Sequence, residues 1–332
     1  MGSSVTPPSS SASPEFISCF RAQAGTTGTM SFARFMELAL YHPTVGYYRR
    51  DQARVGYAAG TDFFTASTSG QIFGELVAAA CVHLLDRRDP GAHTFVEIGA
   101  EPNHSILSGV AHPFAGVRTL RVGEPLILTG QCIVFSNELF DAQPCRRSIF
   151  YNGAWREVGV ALVGDHFIEV ELPPPHGVDA NAPAAGTEHY RFDQPHGATA
   201  LAEKIAQQPW TGLFVAFDYG KSLLDLLENF PSGTLRAYYR HTQSNDLLGR
   251  PGEQDLTCHI CWDWLTAALE ANGFPVATLD SQETFLIRHA ADFIAATTAA
   301  EAARLSRRKL ALLQLLHPAH LGHKFQVLHA LR

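Results

Sequence analysis

The sequence predicts an α/β fold in which helices cover both faces of a parallel or mixed sheet. Three short apolar runs, at 93–99, 132–135 and 213–217, are typical of strands buried on both faces. One helical pattern, at about 70–85, precedes the first run, and another, at 197–208, lies between the second and the third. Strands that alternate with helices at this spacing favour a largely parallel sheet.

Composition excludes several classes of protein. The 332 residues are 46% hydrophobic and 17% charged, and the net charge is −7, without a Lys/Arg tract that would suit a nucleic acid. No apolar run approaches the ~20 residues of a membrane helix. The six cysteines lack the pattern of a disulfide framework, which indicates a reducing compartment. The amino terminus resembles neither a signal nor a transit peptide, so we expect a cytoplasmic protein.

We expect one domain over residues 15–332, preceded by a disordered Ser/Pro-rich tail at 1–14. Within that domain, residues 146–196 are expected to form a small antiparallel β insert. Its strongest signal is Asn152-Gly153, a dipeptide typical of type I′ hairpin turns. Two hairpins are predicted. In the first, residues 148–151 pair with 154–158, and in the second, residues 160–163 pair with 166–172.

Other segments give further predictions of regular structure. Ser31 is expected to cap a helix that begins at Phe32. Residues 126–128 are strand-like, and Thr284–Ile287 is predicted as a final strand. The tail Glu301–Leu316 is predicted as a helix that ends before Pro318.

Polar residues follow two of the buried strands. Ser136, Asn137, Glu138 and Asp141 come directly after the apolar run at 132–135, and Asp218 follows Phe217. In open α/β sheets, ligands bind outside the carboxyl ends of the strands, where these side chains would meet. Capping of turns and helices is an alternative role for Asn and Asp at such positions, and for Asp255 before a later helix.

Motifs along most of the chain resemble the MidA-like family of class I S-adenosylmethionine (SAM)-dependent methyltransferases. They are FMELALYHPTVGYY (35–48), DFFTASTSGQIFGEL (62–76), VEIG (96–99), SNELFDAQP (136–144), DYG (218–220), GTLRAYYRH (233–241), PGEQDLT (251–257), SQETFL (281–286) and LLHPAHLGHKFQVL (315–328). The resemblance implies a Rossmann-like methyltransferase sheet whose last two strands form an antiparallel pair. The family's mitochondrial member is a protein-arginine methyltransferase that assists respiratory complex I assembly.

The resemblance implies two groups of site residues. Catalytic candidates are Asn137, Glu138, Asp141 and Asp218, which could fix a guanidinium group through carboxylates and an amide oxygen. Cofactor candidates are Asp62, Phe63, Thr65, Glu97, Gly99, Glu124 and Ser136. The chain departs from the family after VEIG, where Ala100-Glu101-Pro102-Asn103 replaces a glycine-rich run. The 36 residues from Ala100 to Phe135 also suggest a deletion.

Two functions of different classes are consistent with the sequence. The first is a SAM-dependent methyltransferase acting on a protein side chain such as arginine. The second is a catalytically inactive homologue that acts as a protein-binding or assembly factor. A nicotinamide-dependent oxidoreductase is disfavoured because no Gly-x-Gly-x-x-Gly follows Glu97. A metal or redox site at Cys258/Cys261 is disfavoured because no second CxxC exists. A metal site at His317, His320, His323 and His329 is disfavoured because structural zinc ligands are usually four and convergent.

Overall fold

A computed structural model describes residues 12–50, 70–101, 104–173, 186–303, 306–322 and 324–332. Its helices in the described ranges are α1 (Pro14–Ala24), α2 (Phe32–Tyr41), α3 (Gln71–Leu84), α4 (His196–Ala206), α5 (Leu223–Glu228), α6 (Trp262–Ala271), α7 (Gln282–His289), α8 (Ala291–Ala300) and α9 (Arg307–Leu316). Its strands are β1 (Thr29–Ser31), β2 (Thr94–Ile98), β3 (Gly116–Leu120), β4 (Gly130–Asn137), β5 (Arg146–Tyr151), β6 (Ala154–Val163), β7 (His166–Glu171), β8 (Arg191–Gln194), β9 (Trp210–Asp218), β10 (Gly220–Lys221), β11 (Arg236–Tyr239), β12 (Thr242–Ser244), β13 (Asp255–Thr257), β14 (Ile260–Cys261), β15 (Ala277–Ser281) and β16 (Gln326–Leu331).

The main sheet has the strand order β15-β16-β9-β4-β2-β3. The strands β9, β4, β2 and β3 run parallel, whereas β16 is antiparallel to both of its neighbours. The predicted mixed sheet, with its antiparallel last pair, is therefore present. Because the carboxyl ends of β2, β4 and β9 lie at one edge, the residues that follow these strands come together there.

Helices cover both faces of the main sheet, as the continuous apolar runs predict. On one face, Phe73 of α3 contacts Phe135 and Phe217. On the other face, α4 and α6 pack against side chains that include Val134 and Phe214. Because successive residues of a strand point to opposite faces, a strand covered on both sides must be apolar at nearly every position.

An antiparallel sheet, with the order β1-β6-β5-β8 and β7 beside β6, packs beside the main sheet. The turn at Asn152-Gly153 lies where predicted, with both residues at positive φ. Both predicted hairpin pairings are present, β5 with β6 and β6 with β7, but the two hairpins share one continuous strand, β6. The sheet also includes β1, so it extends beyond the predicted insert at 146–196.

The amino-terminal helices pack on this second sheet. Phe16, Phe20 and Phe35 meet Phe167 of β7 with ring centroids 4.8–5.7 Å apart. The predicted cap of α2 is confirmed, since Ser31 Oγ accepts a hydrogen bond from the amide of Arg34 at 3.3 Å. This packing fixes the end of α2 beside the main sheet. Of the predicted tail at 1–14, residues 1–11 lie outside the described residues. Helix α1 begins at Pro14, the last residue of the predicted tail.

Several sequence predictions are wrong in the carboxyl-terminal part. Thr284–Ile287 lies in α7, because Ser281 Oγ accepts the amide of Thr284 and caps a helix that buries Phe285 and His289. The final strand is instead β16. Residues 301–316 do not form one helix, since α8 ends at Ala300 and Ser306 caps α9.

The predicted strand at 126–128 is also absent. The backbone of this segment pairs with side chains, and the amide of Leu128 donates to Gln208 Oε1 at 2.8 Å. Across the described residues, no helix combines the length and the apolar character that crossing a membrane requires.

Candidate active site

A cavity of about 580 Å³ opens at the carboxyl ends of β2, β3 and β4. The parallel register places Ile98 beside Ser136 and Asn137 beside Phe217, so the segments that follow these strands are neighbours. The predicted site residues on its wall are Glu97, Gly99, Glu124, Asn137 and Glu138. The cavity volume lies in the range of sites for small molecules and cofactors.

Glu97 holds the loop that follows β2. Its Oε2 accepts hydrogen bonds from Ser105 Oγ at 2.6 Å and from the amide of Ile106 at 3.0 Å. The side chain is nearly buried, and burial raises its pKa despite these two hydrogen bonds. One carboxylate oxygen of this predicted cofactor residue therefore fixes protein structure.

Gly99 is the one glycine that remains of the family's glycine-rich run. It has φ +82°, and a Cβ there would lie 2.9 Å from Leu139 Cδ1. Its amide donates to the carbonyl of Leu120 at 2.8 Å, which ties the ends of β2 and β3 together. No helix occurs in the described residues between β2 and β3 (99–101 and 104–115). The described part of this connection therefore lacks the helix N-terminus that usually faces a cofactor's anionic group.

Glu124 lies in the turn after β3, on the same cavity wall. Its Oε2 accepts the amide of Arg121 at 2.8 Å. Arg49 packs over Gly123 and donates to the carbonyl of Val122 at 3.1 Å, so its guanidinium lies at the rim. The end of β3 is where the family's ribose-binding acid would follow its strand.

Asn137 and Glu138 end β4 and form the polar floor of the cavity. Glu138 has φ +51°, a backbone conformation that costs energy for a residue with a side chain, and its amide donates to the carbonyl of Phe217 at 2.9 Å. Glu138 Oε1 accepts from Asn137 Nδ2 at 2.9 Å, and Oε2 accepts from the Tyr219 hydroxyl at 3.4 Å. Asn137 Oδ1 is buried and has no hydrogen-bond partner. It is thus an unsatisfied acceptor on a residue that lines the cavity.

Asp218 lies behind Glu138 and is fully buried. Its Oδ2 accepts the amide of Phe140 at 2.8 Å, and its Oδ1 accepts the amide of Tyr219 at 2.8 Å. Asp218 therefore holds the turn after β4 in place. Asp218 does have a capping role, as the alternative interpretation predicts, but it caps the turn after β4. The helix that follows β9 is capped by Ser222 instead. Asp141, the residue after Phe140 in the turn after β4, is also buried.

Tyrosines and a further acid surround these carboxylates. Tyr41 and Tyr48 stack with ring centroids 5.5 Å apart, and the Tyr48 hydroxyl donates to Asp255 Oδ1 at 2.9 Å. Asp255 lies in β13, seven residues before α6, so it does not cap that helix. We call Glu138, Asp141, Asp218 and Asp255, with Tyr41, Tyr48 and Tyr219, the acid–tyrosine cluster.

Three acids of the acid–tyrosine cluster lack a cationic partner among the described residues. Glu138, Asp141 and Asp218 form no ion pair with lysine or arginine in the described part of the chain. Burial, and then Asp218, raise the pKa of Glu138 to about 8. Burial raises the pKa of Asp218 to about 7, and burial with Asp218 and Glu138 raises that of Asp141. The electrostatics therefore favour a cationic ligand.

The remaining predicted residues differ in position. Ser136 is buried in β4 with no hydrogen-bond partner for its Oγ, and it does not line the cavity. Asp62, Phe63 and Thr65 lie outside the described residues.

The predicted site omitted Tyr41, Tyr48, Tyr219 and Asp255. Each of them stands in a motif that carries the family resemblance, and that was the available signal. Periodicity gave no such signal, since Tyr41 ends a helix and Asp255 lies in a three-residue strand.

The two cysteines of the CxxC pattern have separate surroundings. Cys258 Sγ lies 3.4 Å from Thr234 Oγ1, and Cys261 Sγ lies 4.0 Å from Asp263 Oδ2. In the described ranges they join no group of metal-ligating side chains. His317 and His320 have ring centroids 5.1 Å apart, whereas His323 lies outside the described residues.

Comparisons with known proteins agree with the resemblance. The family described as "putative S-adenosyl-L-methionine-dependent methyltransferase" matches residues 118–279. The mitochondrial protein arginine methyltransferase NDUFAF7 of Danio rerio is 24% identical over 317 residues, which cover 77% of this chain and 72% of the relative.

Two solved structures share the fold. A COG1565 superfamily member from Burkholderia thailandensis, bound to S-adenosyl-homocysteine, is 24% identical with a TM-score of 0.83, covering 96% of this chain and 92% of that one. A native structure of a COG1565 superfamily protein from the same organism is 23% identical with a TM-score of 0.77, covering 96% and 91%. The sequence resemblance is therefore confirmed over residues 118–279, which match this family of putative SAM-dependent methyltransferases.

Proposed function

We propose that the protein is a SAM-dependent methyltransferase that acts on a protein side chain, with arginine as the favoured residue. The observation that carries the proposal is the acid–tyrosine cluster, three of whose carboxylates have no cationic partner among the described residues. A guanidinium is the side-chain cation that carboxylates bind in a paired, planar geometry. The arginine activity of the Danio rerio relative supports this choice.

The cavity beside the cluster is suited to the cofactor. Gly99 leaves its approach free of a side chain, and Glu124 follows β3 with a carboxylate that could accept ribose hydroxyls. The fold, a Rossmann-like class I methyltransferase sheet in this proposal, brings that wall next to Asn137 and Glu138. When bound, SAM would supply a methyl group on a cationic sulfonium, which the nearby carboxylates also favour.

Glu138 has the central role in the proposed reaction. Its carboxylate, with Asn137 Oδ1, would orient the substrate guanidinium towards the cofactor wall. The attacking nitrogen must lose a proton as its bond to the methyl carbon forms, and Glu138 is placed to accept it. Asp218 would position Glu138 through the turn after β4, and Asp141 would add negative charge.

A second function has its own support. The described connection between β2 and β3 contains no helix, and Glu97 uses Oε2 to hold that connection. Both observations favour an inactive homologue that keeps the fold as a protein-binding or assembly factor. A cytoplasmic location remains a prediction under either function, because the Danio rerio relative is mitochondrial.

Calorimetric titration with SAM and with S-adenosylhomocysteine separates the two functions. We expect micromolar binding of both, followed by methyl transfer from labelled SAM to arginine-containing peptides and not to matched lysine peptides. Absence of binding at millimolar ligand would reject the enzyme in favour of the binding factor. Transfer to lysine peptides alone would keep the enzyme and reject the arginine substrate.

A further inference from the structure

Asp280, His289 and His329 form a second polar cluster, on the face of the main sheet that α3 and α7 cover. Asp280 lies in β15, His329 lies in β16, and His289 ends α7. One potential ligand atom from each lies within 4.8 Å of the others. In the sheet, β15 lies three strand spacings from β4, roughly 14 Å, and β16 lies two spacings from it, roughly 10 Å. None of the three residues lines the cavity of the candidate active site. The cluster is therefore separate from the candidate active site.

His289 has an unsatisfied nitrogen inside this cluster. The residue is only 9% exposed, and its Nε2 is buried without a hydrogen-bond partner. Its other nitrogen, Nδ1, lies 3.1 Å from Nδ1 of His83 at the end of α3. If His289 Nδ1 donates to His83, Nε2 carries a lone pair that points to no protein donor. Histidines that bind metals have this arrangement, with the second ring nitrogen donating to a partner.

Asp280 and His329 have the spacing of two ligands on one metal. Asp280 Oδ2 and His329 Nε2 are 3.4 Å apart. Two ligands of a tetrahedral zinc ion, at bond lengths of about 2.0–2.1 Å, are separated by about 3.3–3.4 Å. Arg288, whose side chain is 55% exposed, donates to both oxygens of Asp280. Ligating carboxylates are commonly hydrogen-bonded in this way, so this contact is compatible with a metal.

An apolar ring packs on both histidines. The centroid of the Phe285 ring lies 5.2 Å from that of His289 and 5.3 Å from that of His329. An apolar wall of this kind limits the access of solvent to a metal site.

We propose that Asp280, His289 and His329 bind a zinc ion, and that His83 is a positioning residue that holds His289 in its ligating tautomer. Two imidazoles and one carboxylate are a typical zinc ligand set, with a water in the fourth position. They are a poor set for Mg²⁺ or Ca²⁺, which take oxygen ligands. The ion would join β15, β16 and α7 and so stabilise the antiparallel edge of the sheet.

The test is zinc binding to the full, untagged chain, measured by competition with a chromophoric chelator. We expect one Zn²⁺ per chain, a visible tetrahedral spectrum with Co²⁺, and a melting temperature raised by about 2–5 °C in saturating zinc. Mg²⁺ should change neither signal. Failure to compete with a weak chelator, or binding of Mg²⁺ with equal affinity, would overturn the proposal.

Variants locate the ion. His289→Gln should abolish binding, and His83→Gln should weaken it by about 10–100-fold, as loss of a positioning partner does. His317→Gln removes an exposed histidine at the end of α9 and should leave zinc affinity unchanged. If His289→Gln fails to fold, then Asp280→Asn, which keeps the size of the side chain, provides the decision. Unchanged affinity in Asp280→Asn and His83→Gln, or a loss in His317→Gln, would place the ion elsewhere and reject this site.

Discussion

The two sides of the candidate active site differ in how firmly the protein holds them. On the proposed substrate side, at the ends of β4 and β9, Asp218 accepts two amides, and the amide of Glu138 donates to the carbonyl of Phe217. On the proposed cofactor side, at the ends of β2 and β3, the connection has Gly99 and no helix in its described part. The acidic residues at the ends of β4 and β9 can therefore keep their hydrogen-bond support while the connection after β2 changes, because different strands carry the two parts of the site.

The largest effect that would test this comparison is expected from Glu138→Gln. Loss of the carboxylate removes both the guanidinium partner and the proton acceptor, so methyl transfer should fall by about 10²–10⁴-fold. Folding should persist, since Gln resembles the protonated carboxyl that burial favours. Labelled-SAM assays and circular dichroism measure the two properties. Glu228→Gln, on the exposed side of α5, is the control; equal activity in both variants would remove Glu138 from the mechanism.

Asp218→Ala should have its main effect on stability. The change leaves the amides of Phe140 and Tyr219 without their acceptor in a buried turn, which should lower the free energy of unfolding by about 2–4 kcal/mol. Urea denaturation gives the value. Asp292→Ala, exposed in the first turn of α8, should stay within about 1 kcal/mol of the unaltered protein. Equal losses in both would mean that Asp218 does not support the turn.

The pH dependence of stability should also reflect the buried carboxyl groups. Glu138 and Asp218 have folded pKa values of about 8 and about 7, above the usual 4.5 and 3.8. The folded protein therefore binds these protons more tightly, and the stability they contribute at low pH is lost as pH rises through the folded values. We expect the free energy of unfolding to fall by several kcal/mol between about pH 5 and pH 8.5.

Glu138→Gln provides the control for that pH dependence, since it removes one of the two groups. Its decline over the same pH range should be visibly shallower in urea denaturation. A parallel decline in both proteins would assign the effect to other groups.

Gly99→Ala probes the cofactor side. Alanine at φ +82°, with a Cβ 2.9 Å from Leu139 Cδ1, should lower the free energy of unfolding by about 1–2 kcal/mol and weaken SAM binding. Gly116→Ala is a matched control in β3, where an added Cβ meets nothing within 4 Å. Thermal unfolding and calorimetry measure the two effects. Tolerance of alanine at 99 would show that this wall is even less constrained than we infer.

Glu124→Gln should give the smallest change. If its carboxylate accepts ribose hydroxyls, SAM affinity should fall by about 10-fold, with stability unaltered because the residue is exposed. Calorimetric titration beside Glu203→Gln, an exposed carboxylate on α4, checks the assignment. A 10-fold loss in substrate affinity with unchanged SAM affinity would move Glu124 to the substrate side.

The sequence by itself determined the elements with strong local signals. Cys132–Phe135 and Leu213–Phe217 are apolar at every position, and a strand covered on both faces needs that pattern. Ser31 before α2 and Asn152-Gly153 between β5 and β6 are capping and turn signals whose chemistry is local. The resemblance motifs added the acids at the strand ends, including Glu138.

Only the tertiary structure decided which of those acids faces a ligand. Asp218 and Glu138 both stand at the ends of buried strands. Asp218 is buried and accepts a hydrogen bond from another segment of the chain, whereas Glu138 lies on the cavity wall. Asp255 and Tyr48, 207 positions apart, meet through a hydrogen bond that no local pattern encodes. Likewise Thr284–Ile287 is helical because Ser281 caps it and α3 covers it. Long-range packing selects among local options that the sequence leaves nearly equal in free energy.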